Sequence, residues 1–279
     1  MTGNAVRLAQ DISLFRDSAA WGILHDGSDH ELLESQKRIW YSCLKLDSFL
    51  SALRGHAVMI RHGDYDTPLP SVDEPDEHAR WRPLKGDVGV SSTKARVVST
   101  FNASAQLSQI NSRVLGTVYP VCDDVLLVES ARADASHAQL ARLLGEWRAS
   151  LPPSLHAGDL SPAADAASSC APPHVLDMHA QAYCVAILLH RPLIKRTDGQ
   201  ASALALQECT KAAEGISAIV SAYERRFGFS AASHFLFFYA FNAALIYVRC
   251  FSTVQKLTRL TERIAVPVEC RACRRLCAV

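Results

Sequence analysis

Between Glu31 and Pro70 the chain reads ELLESQKRIWYSCLKLDSFLSALRGHAVMIRHGDYDTPLP, an apolar periodic stretch that meets a glycine and then an acidic exit carrying prolines. Leu32, Ile39, Cys43, Leu46, Leu50 and Leu53 recur at steps of three, four and seven residues, the spacing of one helix face. Trp40, Leu44 and Phe49 widen that stripe, so the segment is expected to be a core helix. Ser28 followed by Glu31 has the form of a capping box and predicts the helix start. Gly55, just after Arg54, supplies the left-handed residue with which helices often end, and Pro68 and Pro70 keep the exit extended. Asp47 sits on this apolar helix, where a buried carboxylate is costly unless paired. An ion pair with Arg54 or Arg61 is therefore expected.

The rest of the chain carries helical spacing divided by polar or proline-bearing connections. Leu107, Ile110, Val114 and Val118 share one face, with Val97 and Phe101 upstream. Ser136 and Gln139 offer a second capping box ahead of Leu140, Leu143, Leu144 and Trp147, in a helix that Pro152 and Pro153 end. Val175, Met178, Ala182, Val185 and Leu189 mark a helix that Pro192 stops, and Leu206, Ala213, Ile216, Val220 and Tyr223 mark the next. FLFFYAFNAALIYV, from Phe235 to Val248, is apolar on every face except Asn242 and is shorter than the roughly 20 residues of a bilayer span, which predicts a central buried helix. The expected fold is all-α, a multi-helix array of antiparallel helices around an apolar central helix. One domain is expected over 1–264, with a mobile Ala/Ser/Pro-rich loop at 157–173, followed by a Cys/Arg-rich tail at 265–279.

With 279 residues, 49% hydrophobic and a formal charge of +1, the chain can bury a large core but lacks the clustered cations that hold a phosphate backbone. Its nine scattered cysteines, an odd number, suit a reducing compartment better than a disulfide framework. Sites for chemistry are incomplete. Asp64 and Asp66 lack the further oxygen ligands and glycine of a calcium loop, and are expected to cap the next segment or pair with Arg61. Asp123 and Asp124 resemble the acidic motif of helical terpene synthases, but Leu127 stands where a third carboxylate belongs. His174 and Asp177 share a helix face from which His179 is rotated away. Cys270, Cys273 and Cys277 lack a fourth zinc donor.

RIWYSCLKLDSFLSALRGHAVMI followed by DYDTPLP resembles the middle homology region of fungal zinc-cluster transcription factors. That family's pattern is a Trp-bearing, arginine-rich helix, an Asp-Arg pair, a Ser, a Gly-Arg-Pro turn and an Asp-x-Asp-x-x-Leu-Pro exit. Arg38, Trp40, Asp47, Ser51, Gly55, Ile60, Asp64, Asp66, Leu69 and Pro70 match it; Ser48, His56 and Ala57 depart from it. NAVRLAQDISLFRD (from Asn4), LARLLGEWRASLPPSL (from Leu140) and MHAQAYCVAILLHRPLI (from Met178) resemble further helices of the family, so that roughly residues 4 to 250 fit.

The resemblance implies a nuclear regulatory domain that controls transcription of target genes, without catalytic, cofactor or metal residues of its own. It implies that Arg38, Trp40, Asp47, Gly55, Asp64, Asp66 and Pro70 define the fold. DNA contact and zinc are expected only through an N-terminal module of six cysteines, which this chain does not contain, so the chain is expected to be a truncated piece of a longer regulator. Expected partners are a second copy in a homodimer, a small-molecule inducer or a transcriptional co-regulator, and no membrane. Two other readings are a free helical scaffold acting through dimer partners, and a metal-dependent helical enzyme at Asp123 and Asp124.

Overall fold

The computed structural model describes residues 2–17, 20, 30–81, 94–119, 131–161, 171–195, 199–230 and 232–251. Among the described residues no strand forms; a single bridge joins Arg80 to Lys94. The helices are α1 (Thr2–Asp11), α2 (His30–Arg54), α3 (Pro75–His78), α4 (Val97–Val118), α5 (Ala131–Ser150), α6 (Pro173–His190), α7 (Gly199–Phe227) and α8 (His234–Phe251). Short 3-10 turns occupy Pro153–Leu155 and Arg191–Lys195.

The central helix is α6. Val175, Leu176, Met178, Val185, Ile187 and Leu189 are all buried, because α4, α5 and α7 pack around it. Pro173 suits its first turn, and Pro192, lacking an amide hydrogen, converts its end into the 3-10 turn. Cross-contacts give the directions of its neighbours. On α5, His137 meets His190 at 3.1 Å and the Arg148 guanidinium lies 5.3 Å from the Tyr183 ring centre. On α7, Ser202 donates to the Ile194 carbonyl at 2.8 Å, and the Cys209 thiol approaches the Ile187 carbonyl at 3.9 Å. Between α7 and α8, Thr210 meets Cys250 and Ser217 meets Tyr247. In each pair one numbering rises as the other falls, so α5 to α8 form a run of antiparallel neighbours. Helix α4 lies parallel to α6, tied by Ala95 to His174, Ser104 to Gln181 and Leu188 to Tyr119.

The expected architecture is thus the observed one, but the residues that occupy its centre differ. The run from Phe235 to Val248 belongs to the 18-residue α8, only 33% buried and, by length and composition alone, apolar enough to cross a membrane. Tyr239, Ala243 and Ile246 join the main core while Phe237, Phe241, Leu245 and Val248 face outward. Its apolar character is real, but α7 and α6 cover only one side. Helix α1 also stops earlier than the sequence suggests. It ends at Asp11, and Ser13, at φ 60°, turns the chain before Asp17. Ser136 and Gln139 lie inside α5, so they are not its cap. Ser28, Asp123, Asp124, residues 162–170 of the proposed loop and the 265–279 tail fall outside the described residues.

Helix α2 buries Cys43, Trp40 and Leu44 as expected, but it is rotated toward that ring-bearing side of the expected stripe. Leu32, Ile39, Leu46 and Leu53 are 49%, 51%, 41% and 51% exposed, whereas Trp40, Tyr41, Cys43, Leu44, Asp47, Ser48 and Ser51 are buried. Both faces are apolar, and the one with the larger rings is the one covered. Its small polar members are satisfied locally, Ser48 donating to the Lys45 carbonyl at 3.1 Å and Ser51 to Ala57 at 3.4 Å, so burying them costs little.

Two features of the frame carry predictions. Gly55 takes φ +72° after α2, and its amide donates to the Ser51 carbonyl at 2.9 Å. A Cβ there meets no atom within 4 Å, so the Gly55→Ala penalty is backbone strain alone. Equilibrium unfolding should show a loss of about 1–2 kcal/mol.

The start of α4 has no side-chain cap of its own, because its N-cap is Arg96 at φ 53°. Glu77 of α3 supplies one from outside. Its carboxylate accepts the Ser99 amide at 2.9 Å and the Ser99 hydroxyl at 2.5 Å, and Arg96 approaches at 3.3 Å. Burial pushes the Glu77 pKa up, but these donors and the Arg96 charge outweigh it and hold the group below its ordinary value. A carboxyl so lowered contributes stability above its unfolded pKa of about 4.3 and loses it as pH falls through the folded value. Glu77→Gln should therefore cost about 1–2 kcal/mol at pH 7, and the difference from wild type should shrink in urea titrations taken into the acid range below that unfolded pKa.

Candidate functional site

The segment after α2 folds against α2 and α1 through the acidic residues of the exit and their neighbours. Asp47, 5% exposed, sits on the inner face of α2, and its Oδ2 accepts the backbone amides of Met59 and Ile60 at 2.8 and 2.9 Å. Burial raises its pKa, and the two amides pull it partly back. The expected ion pair with Arg54 or Arg61 does not form among the described residues. The backbone of the turn arrives where a guanidinium was expected, and two amide donors satisfy the same oxygen. Ser112 of α4 then donates to the Ile60 carbonyl at 2.8 Å, fixing the turn from its other side.

Asp64 and Asp66, two residues apart, do different things. Asp64 is exposed and its carboxylate accepts the Arg61 amide at 3.3 Å, closing a local turn. Asp66 reaches the exit of α1: it accepts the Asp17 amide at 2.8 Å, lies 3.8 Å from Arg16, and its own amide donates to the Phe15 carbonyl at 3.0 Å. Between them Tyr65 places its ring 5.5 Å from Trp40 and 6.2 Å from Tyr41, both edge-on. Trp40 is 1% exposed and also touches Phe15 at 6.1 Å.

Further along the exit, the Thr67 hydroxyl donates to the Leu14 carbonyl and the Tyr41 hydroxyl to the Thr67 carbonyl, each at 2.7 Å. The Pro70 carbonyl accepts from Asn102 of α4 at 2.8 Å. Buried Glu34 holds the Ser71 amide at 2.7 Å and Lys37 at 2.6 Å. Arg38 stands at the rim, 3.5 Å from Asp76 and 3.8 Å from Glu74. Thr67, Tyr41, Glu34 and Glu77 were not singled out from the sequence. Tyr41 and Thr67 lie inside the conspicuous block, yet no spacing rule pairs a hydroxyl with a carbonyl 26 residues away.

Chemically, these acidic groups are acceptors for backbone amides, and they diverge instead of meeting at one point. Among the described residues no three or more His, Cys, Asp or Glu side chains are placed to hold a metal ion. His174 and His179, which the sequence sets near Asp177, go separate ways, to the Ala95 carbonyl at 2.6 Å and the Leu155 carbonyl at 2.7 Å. Asp177 accepts from Ser233 at 2.8 Å instead. Cys184 and Cys209 are buried free thiols, pushed by burial up to about 12, which keeps them as protonated, unreactive groups at neutral pH.

On the outer side of the turn the structure opens a groove of about 490 Å³ between Ala57–His62 and the last turns of α4, with Arg61, His62 and Arg113 on its walls. Its size is that of a small-molecule site.

Among the described residues, the marked side chains of this helical body hold neighbouring backbone and rings together. Residues 1–149, more than half of the 279-residue chain, match the fungal specific transcription factor domain, and the chain belongs to that family. The family is one of regulatory transcription-factor domains and not of enzymes. The chain matches no curated protein and no solved structure.

Proposed function

We propose that this chain is the regulatory body of a nuclear transcription factor, setting the activity of a DNA-binding module that carries the zinc and makes the DNA contact. The observation that carries the reading is the family match over residues 1–149, which spans the whole α1–α4 frame and the acidic exit folded onto it. Residues past 149 support one regulatory unit, since α6, α7 and α8 share a core with Ala103, Leu107 and Val114 of α4. Control would work by population shift: an effector that binds one packing of the helices better than another changes how often an activating or covering surface is presented. Pairing with a second copy, or contact with a co-regulator, belongs to the same reading, and the outward apolar stripe of α2 is a surface open to either.

The test is a fusion of the full chain to a foreign DNA-binding module on a reporter gene. Output is expected to rise or fall relative to the module alone. Identical output from the fusion and the bare module would overturn the reading.

A further inference from the structure

The groove beside the signature turn is built from two elements that are locked together. Ser112 donates to the Ile60 carbonyl at 2.8 Å, Asp47 holds the Met59 and Ile60 amides, and Asp64 closes the turn at the Arg61 amide, so the groove wall is fixed on three sides. Arg61 comes from that turn and Arg113 from α4, and both line the opening. Among the described residues no carboxylate lies within ion-pair distance of either guanidinium. Nearby, Arg38 meets Glu74 and Asp76, and Arg96 meets Glu77, whereas Arg61 and Arg113 meet no such partner among the described residues. Two arginines that line one opening without a carboxylate at ion-pair distance among the described residues favour an anion there, and a guanidinium favours a planar two-oxygen group.

The remaining walls are mostly apolar, with Ala57, Val58, Leu115 and the open face of Gly116 beside the polar side chains of His62, Thr117 and Tyr119. They call for an apolar body behind the charged end. The C-terminus of α4 also borders the groove and contributes about half a negative charge, which opposes an anion, but two full guanidinium charges exceed it. A volume of 490 Å³ lies within the range of small-molecule sites. We propose that the groove binds a small organic acid, a compact apolar body carrying a carboxylate held by Arg61 and Arg113, and that this acid is the effector of the regulatory reading above, on which the second half of the proposal rests.

Gly116 provides a clean way to block the groove, because a Cβ there meets nothing within 4 Å and the helix tolerates leucine well. The experiment is calorimetric titration of the full chain with phenylacetate, the neutral phenylacetamide and inorganic phosphate, for wild type, Arg113→Gln, Arg61→Gln and Gly116→Leu, with unfolding midpoints recorded for each. Phenylacetate is expected to bind wild type, more weakly as salt rises. Either arginine substitution should weaken it about tenfold or more, and Gly116→Leu should abolish it while keeping or raising the unfolding midpoint. Phenylacetamide or phosphate binding as tightly as phenylacetate, undiminished binding to Gly116→Leu, or no binding of phenylacetate to the folded wild-type chain would each overturn the proposal. The reporter fusion without added acid separates the two failures: output that still differs from the bare module leaves the regulatory reading standing when the groove binds nothing.

Discussion

Trp40→Ala should lower the stability of the chain by about 3–5 kcal/mol, a large part of the roughly 5–15 kcal/mol that holds a typical fold together. Trp40 lies at the centre of the smaller of two cores, among Val6, Leu14, Tyr41, Leu44 and Ile60, at 1% exposure. Its ring is the common surface for Phe15, on the exit of α1, and Tyr65, on the exit of α2. Truncation leaves a void beside these two loop residues, whose neighbours Asp66 and Thr67 are tied to the segment after α1. Trp40→Phe should cost less, about 1–2 kcal/mol, because it keeps most of the ring contacts and because the buried indole N–H makes no hydrogen bond to lose. Leu46→Ala, on the outward face at 41% exposure, should stay within about 0.5 kcal/mol of wild type. Urea unfolding of the three variants checks the orientation of α2 as well as the role of the tryptophan. A larger loss at Leu46 than at Trp40 would mean that the helix is turned the other way.

Asp47 gives the second large effect, and its sign depends on the replacement. Asp47→Ala leaves the Ile60 amide buried and the Met59 amide partly buried with no acceptor, a loss of about 2–4 kcal/mol. Asp47→Asn keeps a side-chain oxygen in the same place. Burial raises the Asp47 pKa, so the carboxyl adds most stability below its unfolded value of about 3.9 and loses that contribution as pH rises through the folded value. At pH 7 the charged form is therefore a cost, and a neutral amide should match or exceed wild type. Guanidinium unfolding at neutral pH reads the order directly: asparagine at or above wild type, alanine well below. An asparagine variant as unstable as the alanine variant would mean that the charge itself is needed, as an ion pair would require.

What could be read without coordinates follows from how local the signal is. Gly55 and Pro192 act on their own backbone, so a left-handed turn and a helix stop could be assigned from one residue each. Helix α6 itself was legible from its apolar spacing, but its central place was not: the all-round apolar run that suggested a centre lies in the half-covered α8. The orientation of α2 was legible only in part, through Trp40, Cys43 and Leu44. The stripe through Leu32, Ile39, Leu46 and Leu53 has better periodicity than the face that is covered, but the covered face carries the rings and several serines whose hydroxyls bond locally. Periodicity counts apolar positions and gives no weight to what a neighbouring segment can fill. The partner of Asp47 was missed for a related reason: charge matching looks for a guanidinium, while the turn that arrives brings two backbone amides that every sequence possesses. The groove depends on Arg61 and Arg113, 52 positions apart, and tertiary contacts such as that of Ser112 with Ile60 bring their elements together.

If the acidic residues of this segment serve as hydrogen-bond acceptors and nothing more, their charge should be dispensable for output. The direct measurement is reporter activity of the full chain fused to a foreign DNA-binding module, compared for wild type, Asp47→Asn and Asp66→Asn, with unfolding midpoints taken in parallel. Both variants should keep the wild-type midpoint and the wild-type output, since each amide retains an oxygen for the backbone donors of Met59, Ile60 and Asp17. A variant that folds as firmly as wild type yet loses output would contradict a purely architectural role for these carboxylates.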